Sequence, residues 1–376
     1  MAEDVHYIAV APGDLHGITT TDSTLKVFNS IPPEVLKKPL RFSRFPYGAD
    51  DFLKRGITEL TDKDIEELSH FSAIYLGAVG DPTKIAPGVL ENGILIRMRR
   101  AFDQYVCLRP VILPPGVIGP LRNVKSEDIN FEICRENTEG LYVNEGEILN
   151  KDTDDEVAIQ KMKCSYKGVK RLAEFAAQRA LTRPERRTNR KPRLHFIFKN
   201  NILTFAAHPW NRVYQEFKKR TDIDVMYMHI DAFHAMQIRD PGRFDVILTE
   251  NMFGDIASDL GAELQGGLET AASGNINPTM LMPSTFESTH GSIPDRYYFK
   301  DVNGEYIKGT FDSVLAQTVK PEAAFRAGGM MLEHLGETEA ANRVIRAALA
   351  NMKDPDYKNK TLDQLTDQAC RNVSNN

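Results

Sequence analysis

The stretch FDVILTENMFGDIASDLGAEL, Phe244 to Leu264, decides the reading of this chain. Phe244–Leu248 is a short apolar, β-branched run, the mark of a buried strand. Thr249–Gly254 reads as a polar turn, and Asp255 as the opening of a helix with Ile256, Leu260 and Leu264 along one side. Residues four apart share a helix face, so Asp255 and Asp259 can aim two carboxylates at one spot. Such a pair at the carboxyl end of a strand suits a hard cation, magnesium or manganese. The alternative is one acid complementing the helix dipole beside a solvated one.

Working outward, the 376 residues suffice for two domains with a substantial core. A formal charge of −5 without a long basic run argues against nucleic acid as a partner. RPERRTNRKPR, Arg183–Arg193, is the most basic segment and reads as a solvated loop, with an anion patch as the alternative. The opening MAEDVHYIAVAPGD has no basic n-region, and no apolar run is long enough to span a bilayer. Cys107, Cys134, Cys164 and Cys370 lack metal or redox spacing and fit reduced thiols. A cytoplasmic location is expected, with no membrane partner.

Strands are predicted at Val5–Ala11, Ala73–Val79, Asn130–Cys134, Leu194–Phe198 and Asp224–Ile230. Helices are predicted from Thr61 to His70, Leu90 to Tyr105, Ser165 to Ala180 and Pro209 to Arg220. A hairpin is expected over Val143–Lys163, and only weak helix between Leu15 and Ser23. Two helices close the chain, one from Pro321 to Gly336 and one capped by Thr338. Lys199 and Asp231 fall at the carboxyl ends of successive strands, where an α/β fold builds its catalytic crevice.

Eight segments carry a resemblance: LGAVGDP, RRAFDQYVCLRPV, RENTEGLY, FKNN, HIDAFHAMQIRDPGRFDV, TENMFGDIASDL, SGNINP and HGSIPD. In content and order they resemble the metal-dependent β-decarboxylating dehydrogenases, which include isopropylmalate, isocitrate, homoisocitrate and tartrate/D-malate dehydrogenases. RRAFDQYV and SGNINP look most like the tartrate/D-malate branch, whereas Cys107 resembles the isocitrate enzymes. The resemblance implies an α/β, non-Rossmann fold of two domains, with mixed sheets and flanking helices. Residues 1–110 plus 265–376 would form a large domain carrying most cofactor contacts. Residues 111–264 would form a small domain with the dimer interface and the metal and substrate ligands.

By the same resemblance, Arg99, Arg109, Arg135 and Asn201 bind substrate, and guanidinium forks suit a dicarboxylate. Arg97 is an extra cation. Asp231, Asp255 and Asp259 match the metal ligands. Lys199 and Tyr142 match the catalytic base and acid. Asp231 and Lys199 are implied to serve the partner's site, so that activity needs a homodimer. The implied reaction is oxidation of a (2R)-2-hydroxy acid by NAD, followed by loss of its 3-carboxylate. A cation lowers the hydroxyl pKa, Lys199 takes the proton, and Tyr142 protonates the enol. Malate- or tartrate-like acids are the first expectation and an isopropylmalate- or isocitrate-like acid the second.

Glu287, His290, Gly291, Ser292 and Asp295 match the cofactor loop. The Asp295 carboxylate favours ribose hydroxyls over a 2′-phosphate, hence NAD. Two segments depart from the family. Its first loop, close to GDGIGPEV, is PGDLHGITTTDS here. After HGSIPD a short glycine turn is replaced by the longer RYYFKDVNGEYIKGTFDS, Arg296–Ser313. These departures keep two other readings open: a non-catalytic regulatory paralogue, and a metal-dependent decarboxylase or lyase without net redox.

Overall fold

The computed structural model describes residues 4–184, 186–307 and 313–375. The first three residues of the segment searched for a leader, and residues 308–312 of the replacement segment, lie outside the described residues. Among those described, no helix is long and apolar enough to cross a membrane.

The chain divides into two compact units, one of residues 1–104, 114–118 and 265–376, the other of 105–113 and 119–264. The first crossing comes near residue 104 rather than 110 because of one ladder. Val106–Ile112 pairs antiparallel along its whole length with Asn130–Glu136 in the second unit. Among the described residues the strands, in chain order, are β1 (His6–Ala11), β2 (Leu40–Arg44), β3 (Ala73–Leu76), β4 (Val106–Ile112), β5 (Asn130–Glu136), β6 (Gly146–Leu149), β7 (Val157–Gln160), β8 (Arg193–Phe198), β9 (Asp224–His229), β10 (Val246–Thr249), β11 (Ala272–Ile276) and β12 (Ser284–Ser288).

In the first unit the order is β2-β1-β3-β12-β11, parallel except for β12 against β11. In the second it is β4-β5-β10-β8-β9, parallel except for β4 against β5. The mixed α/β expectation is met. β3 and β10 are buried at every position, as parallel strands covered by helices on both faces require. The expected hairpin is β6–β7, exposed throughout.

Four expectations are corrected. The first helix, His16–Asn29, begins seven residues before Ser23. Two of its threonines satisfy themselves within the helix, Thr20 and Thr24 each donating at 2.8 Å to the carbonyl four residues back, so these polar side chains can be buried. Helix Thr338–Met352 has Glu337, not Thr338, at its cap position. The Glu337 carboxylate turns instead to the amides of Lys37 and Lys38. A third closing helix, Leu362–Asn375, buries Leu362, Leu365, Thr366, Ala369 and Val373.

The basic segment is also not solvated throughout. Arg183 is 2 % exposed, donating to the Asp245 carbonyl and the Asn130 side chain. Arg187 reaches the carbonyls of Asn130 and Phe244 and the Asp245 carboxylate, which also takes Arg190. These arginines stitch the start of β5 to the turn before β10.

Candidate active site

In the second unit the key helix runs Asn251–Leu264, so it starts four residues before Asp255, and the expected turn shrinks to Glu250. Glu250 supplies the start signal: its carboxylate accepts from the amides of Met252 and Phe253, satisfying donors that a helix N-terminus leaves open. Asp255 and Asp259 therefore sit in the second turn and beyond, four apart on one face.

That face meets β4 and β5. Arg135, at the end of β5 and 1 % exposed, donates from Nε at 2.9 Å and Nη2 at 2.7 Å to Oδ1 of Asn251, while Nη1 pairs with Asp255. Gly254 makes this approach feasible, since a Cβ there would lie 2.6 Å from Cγ of Arg135. Arg109, in β4, donates to Ser258 Oγ at 2.6 Å and lies 3.4 Å from Asp259 and 3.6 Å from Asp255. Tyr142 donates from its hydroxyl to Asp255 Oδ2 at 2.8 Å, with the Arg135 guanidinium 5.2 Å from its ring centre. Partial burial raises the Asp259 carboxyl above its usual range; Arg109 opposes the rise and the like charge of Asp255 adds to it.

Lys199 and Asp231 form a second pair in the same unit. Lys199 Nζ donates to Asp231 Oδ1 at 2.7 Å, and this bond holds the Asp231 carboxyl below its usual range. Lys199 thus faces a carboxylate. Asn201 is exposed in the turn after β8. Among the described residues no three His, Cys, Asp or Glu side chains gather as a metal site within one chain. The donor set itself fits a hard divalent ion: Asp255 and Asp259 bring two carboxylates to one helix face, and a cation would offset both the burial that raises the Asp259 carboxyl and the like charge of Asp255 that adds to it.

In the first unit Arg99, 8 % exposed, lies 3.5 Å from Glu287 Oε1, which also accepts from Asn275 at 2.7 Å. Arg97 turns elsewhere, to Asp62 and the Leu60 carbonyl. A cavity of about 520 Å³ is lined by Gly80, Asp81, Ile85, Leu90, His290 and Ile293, among others. Ser292 donates to the Gly80 carbonyl across its rim. Burial pushes His290 down to about 4, so it is neutral, and its ring lies 4.6 Å from that of the equally buried His16. Nε2 of His290 and both nitrogens of His16 are buried without partners among the described residues, polar capacity that a nucleotide could use. Gly291 has open space where a Cβ would stand.

Asp295 is not on the cavity wall. It accepts from Lys300 Nζ at 2.6 Å and from the Tyr306 hydroxyl at 3.1 Å, and Lys300 holds its carboxyl below the usual range. The replacement segment is tied down through Tyr297 to Thr19 and Tyr298 to Asp81. The altered first loop also has a job: the buried Asp14 carboxylate accepts from the amides of Ala49 and Gly80 at 2.8 and 2.9 Å.

Sequence reasoning missed Asn251, Ser258, Asp14, Asp81 and His16. Asn251 is four residues before Asp255 and Ser258 three after, so helical spacing could have found both. Asp14 and Asp81 lie in loops without a period, and His16 opens a helix whose threonine-rich start gives only a weak pattern.

A family model described as isocitrate/isopropylmalate dehydrogenase matches residues 7–375. The chain is 39 % identical to the 3-isopropylmalate dehydrogenase of Clavibacter michiganensis, over 92 % of this chain and 90 % of that one. It is 39 % identical to that of Streptomyces coelicolor, with 92 % and 91 % covered. Its fold is similar to that of the isocitrate dehydrogenase from Methylococcus capsulatus, with a TM-score of 0.79 at 28 % identity, covering 98 % and 100 % of the two chains.

Proposed function

The chain belongs to the isocitrate/isopropylmalate dehydrogenase family, and on that premise we propose that it oxidatively decarboxylates a (2R)-2-hydroxy acid carrying a 3-carboxylate. Enzymes of the family use NAD and Mg²⁺ or Mn²⁺. The observation that carries the proposal is Asp255, bonded at once to Arg135 and Tyr142, with Arg109 and Asp259 beside it.

In this reading Arg109 and Arg135 hold one substrate carboxylate and Arg99 another, each as a fork that fixes orientation. Lys199 takes the 2-hydroxyl proton, and NAD, when bound, would supply the hydride acceptor for C2. The 3-carboxylate then leaves as carbon dioxide, and Tyr142 returns a proton to C3. Asp231, Asp255 and Asp259 would hold the divalent ion, which supplies Lewis acidity at the oxygens of the substrate. Asp231 and Lys199 would serve the site of a second copy, which makes a homodimer the active form. The first unit would carry the nucleotide, and the second the dimer interface.

For the substituent at C3, two features favour an isopropylmalate-like acid over malate or tartrate. The relatives carry isopropylmalate in their names. Ile96, three residues before Arg99 on a helical backbone, offers an apolar side chain on the same face, where tartrate would want a polar one.

The test is a panel of isopropylmalate, D-malate, tartrate and isocitrate with Mn²⁺ and NAD, following reduced cofactor and carbon dioxide together. Coupled release of both with one acid is the expected outcome. Carbon dioxide without reduced cofactor would replace the proposal with a lyase. Mixed dimers of Asp231→Asn with Asp255→Asn should recover activity that neither variant has alone, if the sites are shared.

A further inference from the structure

The basic segment that the proposed function leaves unused leads to a second site. Where β8 and β10 begin, a cavity of about 320 Å³ opens between the 123–128 stretch, the end of helix Ile230–Arg239 and the Asp240–Arg243 turn. Four arginines line it: Arg190, Arg193, Arg239 and Arg243. Two of them are partly spent. Arg190 donates to the Gly242 carbonyl and the Asp245 carboxylate, both at 2.8 Å, and Arg193 donates to the Arg243 carbonyl at 3.3 Å. These bonds brace the turn and fix both side chains against the cavity.

The other two are uncommitted. Arg239 is exposed and Arg243 half-buried, and among the described residues neither guanidinium has a hydrogen-bond acceptor or a carboxylate partner. Arg243 only lies near the ring of its neighbour Phe244. Two carboxylates, Asp128 and Asp240, are also in the wall, and neither is ion-paired to an arginine there. Four cations against two anions leave the cavity with an excess of positive charge. The surroundings register it: buried His195, beneath the turn, is pushed down to about 3 by burial first and then by Arg243 and Arg193. A structural account covers Arg190 and Arg193. For Arg239 it offers only the helix dipole, a weak effect at an exposed site.

Guanidinium forks bind carboxylate or phosphate, and the arrangement discriminates between them. One carboxylate engages one fork. Forks from four positions around one cavity need a ligand with oxygens pointing in several directions. We propose that this cavity binds a phosphoanhydride chain, the di- or triphosphate of a nucleotide or its inorganic counterpart. Its volume is at the lower end of the range for ligand pockets, about 300–1,000 Å³. None of its arginines belongs to the reaction cluster, so occupancy need not compete with substrate.

The experiment is calorimetric titration of the full chain carrying Arg109→Gln, which weakens anion binding at the reaction cluster. The titrants are tripolyphosphate, pyrophosphate and ADP. One site per chain is expected, weakened at least tenfold by adding Arg239→Glu with Arg243→Glu. Arg239→Lys with Arg243→Lys should bind at an intermediate level, since the charge stays and the fork is lost. If the double reversal disturbs folding, Arg239→Glu alone, at an exposed position, should still weaken binding severalfold. Only the heat that the reversals remove is read as this site, since ADP can also enter the first unit's nucleotide cavity: in that heat, ADP much tighter than pyrophosphate assigns the site to nucleotides, and equal affinities assign it to the bare chain. No heat from any titrant, or affinities that the reversals leave unchanged, would overturn the proposal.

Discussion

The two halves of the proposed chemistry are built in opposite ways. The acid–arginine cluster of the second unit stands on β4, β5 and one helix, with Tyr142 added from a short turn, and its members hold each other: Arg135 by Asn251 and Asp255, Arg109 by Ser258, Tyr142 by Asp255. The nucleotide half of the first unit is made mostly of loops, with buried imidazole nitrogens of His16 and His290 that have no partner among the described residues and an aspartate tied to Lys300. Groups on regular elements inherit their precision from the backbone ladder. Groups on loops must be pinned one by one, here by Asp14, Tyr297 and Tyr298. The contrast predicts that small changes in the first half are costly and small changes in the second are tolerated.

The largest expected effect is Asp255→Asn, which removes one charge from the point where Arg135, Tyr142 and the ion would meet. A fall in kcat/KM of at least about a hundredfold is expected, with weakened Mn²⁺ binding by calorimetry. Near-normal turnover would break the comparison at its centre. Gly254→Ala adds one methyl group against Arg135, and with a 2.6 Å contact to relieve it should cost about 1–3 kcal/mol in denaturant unfolding. Adding a methyl at Gly291, where nothing stands nearby, should cost far less.

The nucleotide half should show itself in pH dependence. His290 is held down at about 4 in the folded protein against about 6.5 when unfolded. A lowered folded value means that the unfolded chain takes up the proton first. The stability associated with neutral His290 is present above pH 6.5 and is lost as pH falls towards 4. Relative to His290→Asn, which does not titrate there, the wild type should therefore lose stability between pH 6.5 and 4, by on the order of 3 kcal/mol at most. Unfolding midpoints across that window check it, and a pH-independent difference would mean that His290 is solvated.

The smallest effect is at Asp295. Its partner Lys300 offsets the charge expected to repel a 2′-phosphate, but both are exposed, where solvent screens such a pair and its effect is small. Lys300→Ala should raise the preference for NAD over NADP about two- to fivefold in nucleotide titrations followed by fluorescence. No change would place Lys300 away from the ribose.

The same contrast governs what could be read from residues alone. The strand–turn–helix at 244–264 and the arginines ahead of it follow period and order, and the fold class comes with them. The helix start at Asn251 was hidden because Glu250 is a less usual cap than Ser, Thr or Asp. The buried role of Arg183 was hidden because its partners, Asn130 and Asp245, lie 53 and 62 residues away in the chain. No local pattern encodes such distances. The Lys300–Asp295 contact depends on how a loop folds back, which composition does not specify.

Arg135 and Arg109 are not idle before a substrate arrives, since Asp255 and Asp259 already occupy them. In the proposed reading an incoming diacid would take over forks that the protein's own carboxylates hold, and those carboxylates would then be free to take a cation. Diacid and divalent ion would thus favour each other's entry, each tightening the other by the same factor through thermodynamic linkage. Neither affinity would be a property of its own contacts alone: the acid–arginine pairs would set the starting level for both.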